Sequence, residues 1–251
     1  MPRYDFAAPR LFVDAALASG AEIVLARDQS NYLLNVLRLG DGGHVLVFNG
    51  RDGEWRARLR AASRKSASLQ METMERPQEA PCDLHYLFAP LKHARLDYMV
   101  QKAVEMGVSR LAPVMTRRAQ AARVNLERMR ANAIEAAEQC GLLCLPDIAD
   151  PAPLDKALAA WPADRHLIFC DEDEAVADPA AALRAAIRGK RPALAVLIGP
   201  EGGFDEAERQ AIKRMPMAIP LALGPRILRA DTAAVAALAI VQAAVGDWRG
   251  L

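Results

Sequence analysis

Two turns in the C-terminal third carry the residues best suited to chemistry. The first is Leu197-Ile198-Gly199-Pro200-Glu201-Gly202-Gly203-Phe204, and the second is Leu221-Ala222-Leu223-Gly224-Pro225-Arg226-Ile227-Leu228-Arg229-Ala230-Asp231-Thr232. Three glycines within five residues of the first turn permit positive φ and close backbone approach. Pro200 stiffens that turn, and Glu201 is its only charge. In the second, Arg226 and Arg229 bracket Ile227-Leu228, and Asp231 or Thr232 is placed to cap a following helix. Neither turn is a phosphate cradle. The first lacks a Gly-Lys-Ser/Thr ending, and its glycines do not follow the G-x-G-x-x-G spacing, which removes most support for ATP, GTP or NAD. Backbone N–H and C=O groups beside an apolar wall suit a neutral or cationic ligand instead, such as an adenine bearing a sulfonium.

Other candidate chemistry is weaker. Cys82, Cys140, Cys144 and Cys170 lack zinc-ribbon or C-x-x-C spacing and are expected to be buried, reduced thiols. His44, His85, His93 and His166 form no H-x-x-x-H pair. The run Asp171-Glu172-Asp173-Glu174 follows a strand and precedes a helix. A solvated helix N-terminus explains it better than a magnesium site, so no metal is expected.

The elements that position these turns alternate. Apolar strands are expected at 84–89, 111–115, 167–170, 193–198 and 219–223. Helices are expected at 96–106, 125–139, 179–187 and 205–215, with a last one from Asp231. Ala193 to Ile198 is wholly apolar, as in a parallel strand buried on both faces. The pattern is that of an α/β fold with a mostly parallel sheet. Ahead of it, Val45 to Phe48, the turn Asn49 to Gly53 and the alternating run Glu54 to Arg60 form a hairpin. Trp55, Ala57 and Leu59 face one way; Arg56, Arg58 and Arg60 face the other. Ser66 to Thr73 supplies another strand, and Asp28 is placed to cap a short helix carrying Tyr32, Leu33, Val36 and Leu37. The prolines of Glu75-Arg76-Pro77-Gln78-Glu79-Ala80-Pro81 mark a boundary. They divide the chain into a β-rich domain over 1–73, a linker over 74–81 and an α/β domain over 82–251.

The net charge of +1 conceals a polarity. Residues 1–130 carry 20 Lys and Arg against 14 Asp and Glu, a net of +6, and residues 131–251 carry 12 against 17, a net of −5. A cationic first half is suited to a polyanion. The longest uncharged apolar candidate within 232–245 is too short to span a bilayer, and Met1-Pro2-Arg3-Tyr4-Asp5 does not begin a secretory signal. A cytoplasmic, membrane-free protein is expected.

The two late turns together, with Arg10-Leu11-Phe12-Val13, Asn35-Val36-Leu37-Arg38, Lys102 to Val108 and Glu135 to Gln139, resemble the ribosomal RNA small subunit methyltransferase E family. Its members methylate N3 of uridine 1498 in 16S ribosomal RNA. The resemblance implies an N-terminal PUA-like β-barrel domain for RNA and a SPOUT-class domain with a C-terminal trefoil knot. It also implies a homodimer and S-adenosylmethionine as methyl donor. It places the donor at Leu197, Gly199, Pro200, Glu201, Gly202, Leu221, Leu223, Gly224, Ile227 and Leu228. The chain departs from the family pattern where Leu-Arg-Thr-Glu-Thr-Ala becomes Leu228-Arg229-Ala230-Asp231-Thr232-Ala233, and where no arginine follows Glu138-Gln139.

Methylation at N3 requires an aligned nucleophile and a destination for its proton. Arg229 is the candidate to stabilise negative charge on the uracil oxygens, unless it merely pairs with Asp231. Glu201 or Asp231 is the candidate proton acceptor. Arg10, Arg38, Arg56, Arg58 and Arg60 are candidates for RNA backbone contact, in 16S ribosomal RNA or an assembled small subunit. The alternatives are a non-catalytic RNA-binding assembly factor of the same fold and a dinucleotide enzyme.

Overall fold

The computed structural model describes residues 8–119, 123–171, 173–174, 178–189 and 191–249. They form two compact units: one takes the chain to Ala80 together with Ala137–Cys144, the other Pro81–Ala136 and the chain from Leu145.

The first unit contains β1 (Arg10–Phe12), β2 (Glu22–Val24), α1 (Arg27–Asn31), a π-helical turn (Tyr32–Val36), β3 (His44–Phe48), β4 (Glu54–Ser63) and β5 (Ser66–Arg76). The sheet order is β1-β3-β4-β5-β2. β1 runs parallel to β3, and the remaining pairs are antiparallel. The alternation read from β4 is realised: Trp55, Ala57 and Leu59 are buried in the core with Val45, Val47, Leu69 and Met71. Asn49 builds the β3–β4 turn by accepting from the Arg51 and Asp52 amides, at 2.9 and 2.8 Å. β5 continues to Arg76, three residues into the stretch 74–81, where Arg76 pairs across the strands with Glu54. Asp28 does not cap α1. Ala26 holds the N-cap, and Asp28 lies in the first turn. Of the apolar residues expected on this helix only Leu33 is buried, and the π-helical turn leaves Tyr32, Val36 and Leu37 exposed.

The second unit begins with β6 (Leu84–Phe88), α2 (His93–Glu105), β7 (Arg110–Met115) and α3 (Leu126–Cys140, whose last residues cluster with the first unit). It continues through β8 (Asp147–Ile148), β9 (Ala152–Pro153), α4 (Leu154–Ala159), β10 (His166–Cys170) and α5 (Pro179–Ala186). It ends with β11 (Leu194–Ile198), α6 (Glu206–Lys213), β12 (Ala218–Leu221) and α7 (Ala230–Ala244). The sheet runs β12-β10-β11-β6-β7-β8, with β9 against β7, and every pair is parallel.

Every residue of β11 is buried, as its unbroken apolar run requires. Ala195 and Leu197 join Phe169, Leu154, Leu158 and Ile212 on the face covered by α4 and α6. Successive strand residues point to opposite faces, so Leu194, Val196 and Ile198 face the other side, where α7 packs on β11 and on α2 and α5. Asp205 and Glu208 cap α6 reciprocally: each carboxylate accepts from the other's amide. Among the described residues no helix is long and apolar enough to cross a membrane.

Candidate active site

β10 lies between β11 and β12, and all three run in the same direction. The segments leaving their C-terminal ends therefore converge at one edge of the sheet, the usual ligand position in an open parallel sheet. They enclose a cavity of about 340 Å³. Eight of the ten expected donor-binding residues line it: Gly199, Pro200, Glu201, Leu221, Leu223, Gly224, Ile227 and Leu228. Leu197 does not, because the strand pleat turns it into the core under α4 and α6. Gly202 does not line it either; its carbonyl accepts from Arg118 Nη1 at 2.8 Å.

The glycines have separate local causes. A Cβ on Gly199 would lie 2.6 Å from the ring of Phe204. Phe204 is buried edge-on against Phe169, with centroids 5.2 Å apart, so it anchors the returning limb of the first turn. Gly224 has φ 111°, a backbone conformation that other residues adopt only with strain.

The charged residues are arranged differently from expectation. Arg95, in the first turn of α2, bonds both candidate carboxylates. Its Nη1 donates to Glu201 Oε1 at 2.7 Å, its Nε to Asp231 Oδ2 at 3.1 Å, and its Nη2 to Asp231 Oδ1 at 3.0 Å. The hydrogen bond from Arg95 holds the Asp231 carboxyl below its ordinary range, against the opposing effect of burial. The expected cap on α7 is corrected: Arg229 occupies the N-cap, and no side chain caps the helix. Asp231 sits one step inside the helix, where Arg95 occupies its carboxylate. Arg229 itself is exposed and has no ion pair among the described residues, so it does not pair with Asp231. Residues outside the two motifs complete the wall, notably Cys170, Asp171, Glu174 and Arg209. Burial pushes the Cys170 thiol up to about 12, so it remains protonated at neutral pH.

The acidic run is not a solvated cap. Asp178 caps α5 instead, accepting from the Ala181 amide at 2.9 Å. Asp171 is 4 % exposed and pairs with Lys213 at 3.0 Å and Arg209 at 3.4 Å. Arg209 also pairs with Asp173, and Lys213 with Glu174. Glu172 lies outside the described residues. Nor are the cysteines fully buried; all four are half-buried.

The RNA candidates in the first unit divide sharply. Arg10 is only 7 % exposed. It pairs with Glu54 at 2.7 Å, donates to the carbonyls of Ala137, Glu138 and Leu142, and lies 4.4 Å over the Phe48 ring. It is a core tie, which corrects its expected place on an RNA-facing surface. Arg56 and Arg58 lie on the open sheet face, but Glu75 and Glu72 pair with them at 2.8 and 2.7 Å. Arg38 and Arg60 are exposed with no ion pair among the described residues. A groove of about 720 Å³, absent from the sequence expectations, lies between α1 and the β4–β5 turn. It is lined by Arg27, Asp28, Asn31, Asn35, Arg64 and Lys65, and its three cations have no ion pair among the described residues.

Residues 78–242 match the family model of an RNA methyltransferase domain, and residues 25–72 match that of an RNA methyltransferase PUA domain. Sheet, cavity and accompanying β unit thus define an RNA methyltransferase. Among curated proteins, the chain is 28% identical over 234 residues to the ribosomal RNA small subunit methyltransferase E of Rickettsia conorii, covering 93% of this chain and 94% of the relative. It is 31% identical over 255 residues to the protein of that name from Synechocystis, covering 93% and 77%. The chain belongs to the ribosomal RNA small subunit methyltransferase E family. Its fold matches the crystal structure of such an enzyme from Neisseria gonorrhoeae bound to S-adenosyl methionine, with a TM-score of 0.85, 28% identity, and 96% of this chain and 99% of that one covered. A Legionella pneumophila methyltransferase in complex with the same cofactor matches with a TM-score of 0.84, at 28% identity and the same coverage.

Proposed function

We propose that this enzyme transfers a methyl group from S-adenosylmethionine to N3 of a uridine in small-subunit ribosomal RNA. The observation that carries the proposal is the cavity closed by the turns after β11 and β12. Its size falls within the roughly 300–1,000 Å³ usual for small-molecule sites. Ile198, Leu221, Leu223 and Leu228 supply apolar surface, and Gly199 and Gly224 let backbone edge the space. Those features fit an adenosine with a sulfonium. When bound, the donor supplies an electrophilic methyl group.

The chain's own residues must then orient the uracil and manage its proton. Arg229 is the residue proposed to stabilise charge on a uracil oxygen, being exposed, unpaired among the described residues and adjacent to Leu228 and Ala230 of the cavity wall. Asp231 is a poor proton acceptor, since both its oxygens receive hydrogen bonds from Arg95. Glu201 bonds Arg95 through Oε1 alone, leaving Oε2 for the N3 proton.

RNA contact is assigned to Arg38, Arg60 and the groove cations Arg27, Arg64 and Lys65, with lesser parts for the acid-paired Arg56 and Arg58. A cytoplasmic homodimer is the form we infer, on the family resemblance. The test is to incubate unmodified small subunits with isotope-labelled donor, digest the RNA and locate the label by mass spectrometry. N3-methyluridine is expected. Label on another atom or another base would overturn the assignment.

A further inference from the structure

We propose that Arg95 is a positioning residue that ties the two cavity turns together through one guanidinium, holding Glu201 of the first turn and Asp231 at the start of α7. The inference rests on the cavity being the donor site.

Two observations carry it. The fork is filled on two sides, with a two-bonded contact to Asp231 and a third bond to Glu201. Such planar, paired recognition is a property of arginine rather than lysine. Second, the turn that Arg95 pins has little else to fix it. Residues 222–228 make no backbone hydrogen bond among the described residues, while supplying much of the cavity wall.

Arg95 touches no reacting atom in this scheme. It preserves the cavity's shape, and it occupies Asp231 while leaving one oxygen of Glu201 open. Without it, the second turn loses its tie and donor affinity falls.

The test is calorimetric titration of the full-length protein with S-adenosylhomocysteine, alongside thermal unfolding. Arg95→Ala is expected to weaken binding by about tenfold or more, the scale of losing charged hydrogen bonds. The unfolding midpoint should change little, because the residue is one-third exposed. Arg95→Lys should bind with intermediate affinity. Arg95→Lys combined with Asp231→Glu should recover most of the loss, since the longer acid meets a point charge. A role in bulk stability alone would not give this rescue. If Arg95→Ala does not fold, Arg95→Lys and its rescue carry the test. Wild-type affinity in Arg95→Ala, or in Arg95→Lys should that be the variant measured, would overturn the clamp and leave the donor site standing. Failure of the wild type to bind would overturn the donor site and the clamp together.

Discussion

Arg229 and Asp231 stand two positions apart, yet the structure gives them opposite fates. Asp231 is consumed by Arg95, and Arg229 is left exposed at the helix start. Arg229→Ala should therefore keep its affinity for S-adenosylhomocysteine and lose turnover by about 10²-fold or more, as when a charge-stabilising donor is removed. Single-turnover methylation of small subunits measures this, and wild-type turnover would remove Arg229 from the chemistry. The carboxylate at 231 has a further consequence. Its folded-state value lies below the ordinary 3.8. The stabilisation from this pair is thus complete above that ordinary value and is lost as pH falls through the depressed one. Donor affinity should be insensitive to the clamp's titration at neutral pH. Sequence alone pointed to Glu201, Arg229 and Asp231 because they lie in the motifs. It could not point to Arg95, whose partners are 106 and 136 positions away and whose helix shows an ordinary amphipathic pattern.

Among the elements, β11 and its turn were the most legible. A wholly apolar strand followed by clustered glycines has few structural solutions, and Gly199 shows why the cluster begins there. Gly199→Ala should drive a methyl group into Phe204 and cost about 1–3 kcal/mol by overpacking. Pairing it with Phe204→Leu should return part of that stability in thermal unfolding. No loss in the single variant would show that the ring is free to move. The arginine row of β4 was half legible. Period-two alternation gave its direction, but the neutralising Glu72 and Glu75 come from the neighbouring strand, and one strand's pattern does not contain the register. Arg10 illustrates the same gap. A charged residue beside an apolar run reads as surface, whereas here it satisfies buried Glu54 and the carbonyls at 137, 138 and 142. Arg10→Ala should cost about 3 kcal/mol, the scale of breaking a buried ion pair, seen as a lowered unfolding midpoint. An unchanged midpoint would mean that Arg76 alone satisfies Glu54.

For the whole molecule, the charge polarity of the sequence resolves into paired and unpaired cations. In the first unit, Arg27, Arg64 and Lys65, unpaired among the described residues, gather beside α1 and the β4–β5 turn, so the RNA should feel that groove more than the sheet face. Replacing Arg27, Arg64 and Lys65 by alanine should reduce the slope of log affinity against log salt by about 2 to 3, at roughly 0.7–0.9 per phosphate contact. Replacing Arg56 and Arg58 should change it less. Equal slopes in the two variants would return the contact to the sheet. Acid sensitivity is also a property of the whole fold. Burial, aided by Arg165, pushes the His85 imidazole down to about 4 from its ordinary 6.5. The unfolded chain then binds a proton that the native chain refuses, so stability is greatest above pH 6.5 and declines as pH falls toward 4. His85→Gln should flatten that part of the stability profile.

The most direct measurement is a calorimetric titration of S-adenosylhomocysteine into the wild type and into Ala233→Phe, which projects a ring into the cavity from α7. One saturable site in the wild type, absent from a variant with the same circular dichroism, is the expected result. Equal binding by both proteins would place the donor elsewhere and contradict the assignment of these turns.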